Sequence, residues 1–422
     1  MALREVLIVA YYFPPLGMGG VQRITKFVKY LPRSGWRPLV LTVKPIRYFT
    51  SDASLLKEIS HEAEVFRTGS LDPLRVASLF SLKSGKSFVE ARLSAKPALD
   101  WFAIPDVSLG WLPLAVSSGL SILHSRSPEA ILATAPPYTA HLVGGALAWA
   151  SGLPLVLDYR DAWTFDSPRS FPTGFHHALN RLLEKEMLRT ATRVLAVNEP
   201  IAQGLRSALD FPEKDKVHVL PLGYDPGDFE QAKASEPLKF RISHVGTLIG
   251  ERSPKSLLIA LKYLFEKHPE LREKIEVRFV GLYRTTDQSM IQDAGMEDVV
   301  TCVSYRPHAE VIAELLSAHV LYLVIGAKEG ETISTGKLYE YLGARKPILT
   351  SAPPCEAART IQETGAGSVF HPEDSEGLAQ EIIRFYNLYC EGRLKGPTIE
   401  AVQRYDRREI TKELARHLSE VA

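Results

Sequence analysis

What most constrains this chain is one alternation along its length: short apolar runs separated by amphipathic segments long enough to be helices. The first runs are VLIVAYY (Val6 to Tyr12), PLVLTV (Pro38 to Val43), AILAT (Ala130 to Thr134), LVLDY (Leu155 to Tyr159) and RVLAV (Arg193 to Val197). Runs of this length are too short for core helices and too continuously apolar for strands with one wet face, so they suit strands covered on both sides. A helix-length segment after each strand predicts βα units and parallel sheets, an α/β fold.

The alternation pauses at PLGYDPGDFEQAKASEPLKF, Pro221 to Phe240, rich in Pro, Gly and charge. It resumes with RISHVG (Arg241 to Gly246), EVRFVG (Glu276 to Gly281), LYLVIG (Leu321 to Gly326) and PILTS (Pro347 to Ser351). At 422 residues the chain is long enough for two cores. The expected division is a Rossmann-like domain over 1–220, a second over 221–396, and a tail over 397–422. The tail carries RREITKELARHL, a charged amphipathic helix. No internal repeat or low-complexity segment occurs.

Charge and cysteine content exclude several classes. Fifty Lys+Arg against 49 Asp+Glu give a formal charge of +1, which provides no global field for nucleic acid; any anion must be held locally. Cys302, Cys355 and Cys390 match neither a disulfide framework nor a metal-ligand spacing and suit a reducing cytoplasm. The N-terminal apolar run is preceded by Arg4 and Glu5 and lacks a small-residue cleavage site, so it reads as a buried strand. Val107 to Ser125 and Ala130 to Leu157 contain no Asp, Glu, Lys or Arg. Pro136-Pro137 and Ser151-Gly152-Leu153-Pro154 cut the second into strand, helix and strand, and no transmembrane helix is expected.

Three segments carry candidate chemistry. The loop Pro14 to Gln22 follows a strand and opens a helix, and Gly17, Gly19 and Gly20 let backbone N–H groups approach an anion there. Its Gly-x-Gly-Gly spacing fails the dinucleotide fingerprint, and a tight turn is the competing reading. In LVLDYRDAW the strand ends at Arg160-Asp161, where a buried structural Arg–Asp pair competes with a functional one. In KLYEYLGARKPIL, Lys337 to Leu349, a glutamate sits one turn inside a helix opened by Ser334-Thr335-Gly336. An exposed i, i+3 pair between Lys337 and Glu340 is the bland reading. The functional one is a nucleotide site, with Glu340 accepting ribose hydroxyls and the amides of Thr335, Gly336 and Lys337 meeting phosphate oxygens.

These segments, with VHVLPLGYD and SHVGTLIGERSPKSLLIAL, resemble in order and spacing a family 4-type glycosyltransferase of the GT-B fold. The resemblance spans nearly the whole chain. It implies two Rossmann-like domains facing across a cleft with the C-terminal helix returning to the N-terminal domain, a nucleotide-sugar donor held by the C-terminal domain, an acceptor held mostly by the N-terminal one, and retention of anomeric configuration.

The resemblance also assigns candidate residues. A basic pair after Gly246 neutralises the donor diphosphate in the family; Arg252 stands where a lysine is usual, while Thr247 replaces the expected arginine and Lys255 is a candidate substitute. Two glutamates with seven residues between them face the donor; Glu340 matches the second, Thr332 occupies the first position, and Glu331 is one residue out of register. Thr332, Ser334 and Leu338 complete the donor segment, and Tyr305-Arg306-Pro307-His308 is a candidate lining for the base. Arg160 stands where the family frequently has histidine. Arginine stays protonated and is no general base, but it can hold an anionic acceptor phosphate or charge on the leaving diphosphate while Asp161 orients it or the acceptor hydroxyl. His141, alone on an apolar segment, reads as a core residue.

The expected protein is therefore a cytoplasmic, retaining, hexosyltransferase-like enzyme. It transfers a sugar from a nucleotide sugar, UDP-sugar foremost, to a glycan or lipid-linked acceptor in surface-polysaccharide assembly. No Asp-x-Asp ends a strand, so no metal is expected. Arg75 to Trp101 interleaves Arg75, Lys83, Lys86, Arg92 and Lys96 with Leu79, Phe80, Phe88 and Trp101, a composition suited to an anionic membrane surface. The rival readings are a GT-B sugar-nucleotide epimerase and a sugar-nucleotide-binding module without turnover.

Overall fold

In the computed structural model, residues 3–16, 19–45, 52–73, 101, 103–166, 171–210, 213–248, 250–326, 330–332 and 334–422 are described. Apart from Trp101, the basic segment Arg75 to Trp101 lies outside them, with its membrane reading, and so does Gly17. The chain divides into two compact units, Met1–Pro221 with Arg408–Ala422, and Leu222–Arg407.

Among the described residues the first unit holds seven strands: β1 (Arg4–Val9), β2 (Trp36–Val43), β3 (Glu64–Thr68), β4 (Ala130–Ala135), β5 (Leu155–Tyr159), β6 (Arg193–Ala196) and β7 (Val217–Val219). They form one sheet in the order β3-β2-β1-β4-β5-β6-β7, every pair parallel. All residues of β4 and β5 are buried, as expected of strands covered on both faces. The second unit holds β8 (Phe240–Val245), β9 (Ile275–Val280), β10 (Val300–Val303), β11 (Val320–Val324), β12 (Ile348–Ser351) and β13 (Gly367–Phe370). Its order is β10-β9-β8-β11-β12-β13, again all parallel.

The charge-free stretch from Ala130 to Leu157 resolves into β4, the helix Thr139–Ser151 and β5. That helix buries eight residues, His141 among them. Among the described residues no helix is long and apolar enough to cross a membrane. The strands absent from the expected set are β3, β7, β10 and β13, each at or next to a sheet edge. β3 and β13 have only half-buried side chains and so lack the apolar run that marks a buried strand.

The C-terminal helix Arg407–Val421 belongs almost wholly to the first unit. Ile410, Leu414 and Leu418 pack with Ile8, Val28 and Trp36, Trp36 Nε1 donates to Ser419 Oγ at 3.3 Å, and Arg193 pairs with Glu420 at 2.6 Å. Its amphipathic pattern is matched by a real apolar partner.

Candidate functional site

In an open parallel sheet, the place where strand order reverses leaves a crevice at the carboxyl ends of two neighbouring strands. Here that happens between β1 and β4 in one unit and between β8 and β11 in the other. The segments singled out from the sequence follow those strands or their neighbours.

In the first unit the crevice is held by arginine side chains bonded to backbone. Arg160, at the end of β5, donates from Nε to Ala135 O at 3.2 Å, from Nη1 to Gly20 O and from Nη2 to Pro136 O. It thus ties the end of β4 and the loop after it to the first turn of the helix that begins at Gly19. Burial lowers the pKa of its guanidinium, offset in part by Asp158 and Asp161. Gly20 lies so close to the Arg160 guanidinium that an added Cβ would push it aside. Gly19 opens the helix Gly19–Tyr30. Asp161 is exposed, and its carbonyl accepts from Tyr138 Oη at 3.2 Å.

A buried Arg–Asp pair does exist in this unit, between residues the sequence reading passed over. Arg23 meets Asp158 at 2.9 Å with both side chains at most 5% exposed. Arg23 also donates to Leu220 O at 2.9 Å and Pro221 O at 2.6 Å, and Thr134 Oγ1 donates to Asp158 at 2.7 Å. A carboxylate inside the buried run LVLDY requires such a partner, and that was the signal available. His141 is fully buried, 3.3 Å from Asp158 O, among the rings of Tyr138, Tyr159 and Trp163. Burial pulls its pKa down to about 4, so it is neutral near pH 7, in keeping with a core residue.

In the second unit the crevice is opened by glycines and entered by charge. Gly246 follows β8 at φ +135°, and a Cβ there would strike Lys337 Cε and Nζ. Gly281, at φ +136°, packs so closely that its Cβ would lie 2.6 Å from Gly246 O. Into the space so made comes Lys337, whose ammonium donates to Thr247 O at 2.9 Å. A cation from the first turn of the helix Gly336–Ala344 therefore stands beside the position where the family's arginine is replaced by threonine.

Arg252 lies in the same region. The loop that carries it is braced by Arg284, which donates to Gly250 O at 2.7 Å and Arg252 O at 3.2 Å while paired with buried Asp287 at 2.8 Å. The buried His244 beneath is held well below its ordinary pKa, first by burial and then by Lys337 and Arg252. Its Nδ1 lies 2.9 Å from Tyr322 O. Lys255 is exposed at the start of the helix Lys255–Lys267.

At Gly336–Ala344, Thr335 is the N-cap without a side-chain cap bond, Gly336 is exposed and Leu338 is buried. Ser334 Oγ lies 2.7 Å from Tyr339 Oη, and Thr332, at the family's first glutamate position, is 8% exposed. Glu340 keeps 27% of its side chain exposed, 3.9 Å from His308 Nδ1, whose Nε2 lies 3.2 Å from Asp228. Its pKa is raised, chiefly by lost solvent and also by Asp228, against the pull of His308, Arg407 and Lys337. Sequence reasoning did not find Asp228, Gly281, Arg284 or Asp287, because nothing local marks a residue that serves a neighbouring loop.

Two family models match the chain: a glycosyl transferase 4-like domain over residues 18–223 and glycosyl transferases group 1 over residues 228–395. The chain belongs to the GT-B glycosyltransferases, with a 4-like domain followed by a group 1 domain. No curated protein matches it. Among solved structures it is similar to a glycosyltransferase from Rickettsia africae, with 16% identity, TM-score 0.65, and coverage of 99% of this chain and 98% of that one. It is similar to the trehalose-6-phosphate protein from E. coli bound with UDP-2-fluoro glucose, with 12% identity, TM-score 0.65 and 99% of each chain covered. A lipopolysaccharide outer core galactosyltransferase in its apo form gives 12% identity, TM-score 0.61 and 99% of each chain covered.

Proposed function

We propose that this glycosyltransferase transfers a sugar from a UDP-sugar, with retention, to a glycan or lipid-linked acceptor during surface-polysaccharide assembly. The observation that carries the donor half is the Lys337–Thr247 contact, which puts an ammonium at the β8–β11 crevice near Arg252 and one turn before Glu340. Two cations suit a diphosphate, and a carboxylate farther along the helix suits ribose hydroxyls. Ser334, Thr335, Gly336 and Lys337 supply the helix N-terminus facing phosphate, with Gly246 leaving room for the Lys337 side chain. The E. coli structure with a bound UDP-sugar analogue supports UDP as the nucleotide, and the lipopolysaccharide galactosyltransferase supports a glycan or lipid-linked acceptor.

On the acceptor side, Arg160 shapes the crevice by holding the end of β4 and the first turn of the helix Gly19–Tyr30 to the end of β5, and Asp161 orients the acceptor hydroxyl. The reaction needs no divalent metal in this reading, because Lys337, Arg252 and helix amides neutralise the diphosphate. The enzyme works in the cytoplasm at an anionic membrane face, through the basic segment that ends at Trp101.

A thermal-shift screen of nucleotides and nucleotide sugars tests the donor half: UDP at 100 times its Kd stabilises the fold by about 2.7 kcal/mol. Stabilisation by another nucleotide alone overturns the UDP assignment. Complete loss of transfer in EDTA, restored by Mn²⁺ or Mg²⁺, overturns metal independence. Indifference to anionic liposomes at low salt removes the membrane reading.

A further inference from the structure

The helix Gly174–Thr190 directs several polar side chains at one short loop. His177 Nε2 lies 3.0 Å from Thr164 O. Asn180 Oδ1 accepts from Trp163 Nε1 at 2.9 Å, its amide orientation set by Nδ2 donating to His176 O at 2.8 Å. Glu184 accepts from Thr164 Oγ1. Residues 177, 180 and 184 lie on one helical face. The loop they hold, Trp163-Thr164, follows Asp161 by two residues, and Trp163 stacks at 4.5 Å on Tyr138, which donates to Asp161 O.

These groups are deeply buried: Trp163 at 0%, Asn180 at 2% and Glu184 at 3% exposure. Packing alone would be served by apolar residues, and burying a carboxyl is costly unless its bonds matter. Glu184 Oε1 and Tyr159 Oη are both sealed from solvent without a hydrogen-bond partner among the described residues. The groups facing Glu184 are Thr164 from the loop, Tyr159 from β5 with Tyr138 behind it, and Arg181 on its own helix. Burial dominates and pushes the Glu184 carboxyl up to about 7.

We propose that Asn180 and Glu184 are positioning residues of the acceptor site: through Trp163 and Thr164 they set the backbone that presents Asp161. This rests on the acceptor-side role given to Asp161 above. Hydrogen bonds to a loop from a rigid helix hold it within the narrow tolerance that a transfer step needs.

Two measurements on the full chain test it. The first follows the indole Nε1–H of Trp163 by ¹⁵N NMR, assigned with Trp163→Phe. In the unmodified protein this resonance moves with pH around 7; in Glu184→Gln it is flat across that range. A Trp163 resonance that ignores pH in the unmodified protein, or titrates identically in Glu184→Gln, overturns the proposal. The second uses UDP-glucose with octyl glucoside as acceptor. Glu184→Leu and Asn180→Leu lower kcat/KM for the acceptor ten- to a hundredfold with UDP-glucose affinity unchanged within twofold, and Glu184→Gln recovers to within threefold of the unmodified enzyme. Acceptor kinetics unchanged in the folded Leu variants, or a Gln variant as impaired as Leu, refute it. If neither Leu variant folds, Glu184→Gln decides through the resonance and its pH–rate profile. Absence of any turnover in the unmodified protein counts against the transfer reading, while the indole measurement still decides the positioning role.

Discussion

The crevices of the two units have the same sheet geometry and opposite uses of charge. At β1–β4 the cations face inward: Arg160 bonds to three carbonyls and Arg23 to Asp158 and two more. At β8–β11 the glycines clear space and Lys337, Arg252 and Glu340 gather at the strand ends. Basic residues near a strand end therefore do not by themselves signify a ligand. What separates the cases is the company the cations keep: backbone carbonyls and Asp158 in the first crevice, a helix N-terminus and Glu340 in the second.

The comparison is broken most severely by removing the buried anion of the first unit. Asp158→Ala leaves Arg23 buried and unmatched and costs about 3–5 kcal/mol. Urea unfolding measures this, and a loss below about 1 kcal/mol contradicts the assignment of Arg23 as internally paired.

Next comes pH. Glu184 has a folded pKa of about 7 against an ordinary 4.5, so the folded state binds the proton more tightly than the unfolded chain. Its contribution is fully present below pH 4.5 and is lost as pH rises through 7, a change of about 3 kcal/mol for this shift. Glu184→Gln removes that slope and is the more stable form at pH 8. Denaturation at pH 5 and pH 8 checks it; equal slopes for the two proteins contradict it.

On the donor side, Lys337→Met weakens UDP by ten- to a hundredfold, about 1.5–3 kcal/mol, and leaves uridine unaffected. Glu340→Gln weakens UDP and uridine alike, at the lower end of that range. Calorimetric titration with both ligands sharpens the contrast between the crevices, because Arg160→Met, tested the same way, leaves UDP affinity unchanged. Wild-type affinity in both donor-side variants places the nucleotide elsewhere.

Much of the architecture was legible in the residue order. VLIVAYY, AILAT, LVLDY and LYLVIG each contain or overlap a buried parallel strand, because burial on both faces favours a nearly continuous apolar run. Glu64–Thr68 and Gly367–Phe370 were not legible, since a half-buried strand near an edge carries no such run. In the candidate site, Glu340 and Arg252 could be picked out by segment and register. Lys337 could be named, but not its reach to Thr247.

By itself the sequence determined the class of fold, two parallel α/β sheets with a returning C-terminal helix, and the segments that end strands in each. The strands and helices follow from local periodicity, which any window of residues displays, while the return of the last helix was implied by the family resemblance. The tertiary structure alone decided which charges are internal. Arg160 is tied to Gly20 across 140 positions, Arg23 to Asp158 across 135, and Lys337 to Thr247 across 90. Contacts at such separations depend on strand order, and strand order is set by how whole helices pack onto a sheet, not by any neighbouring residue.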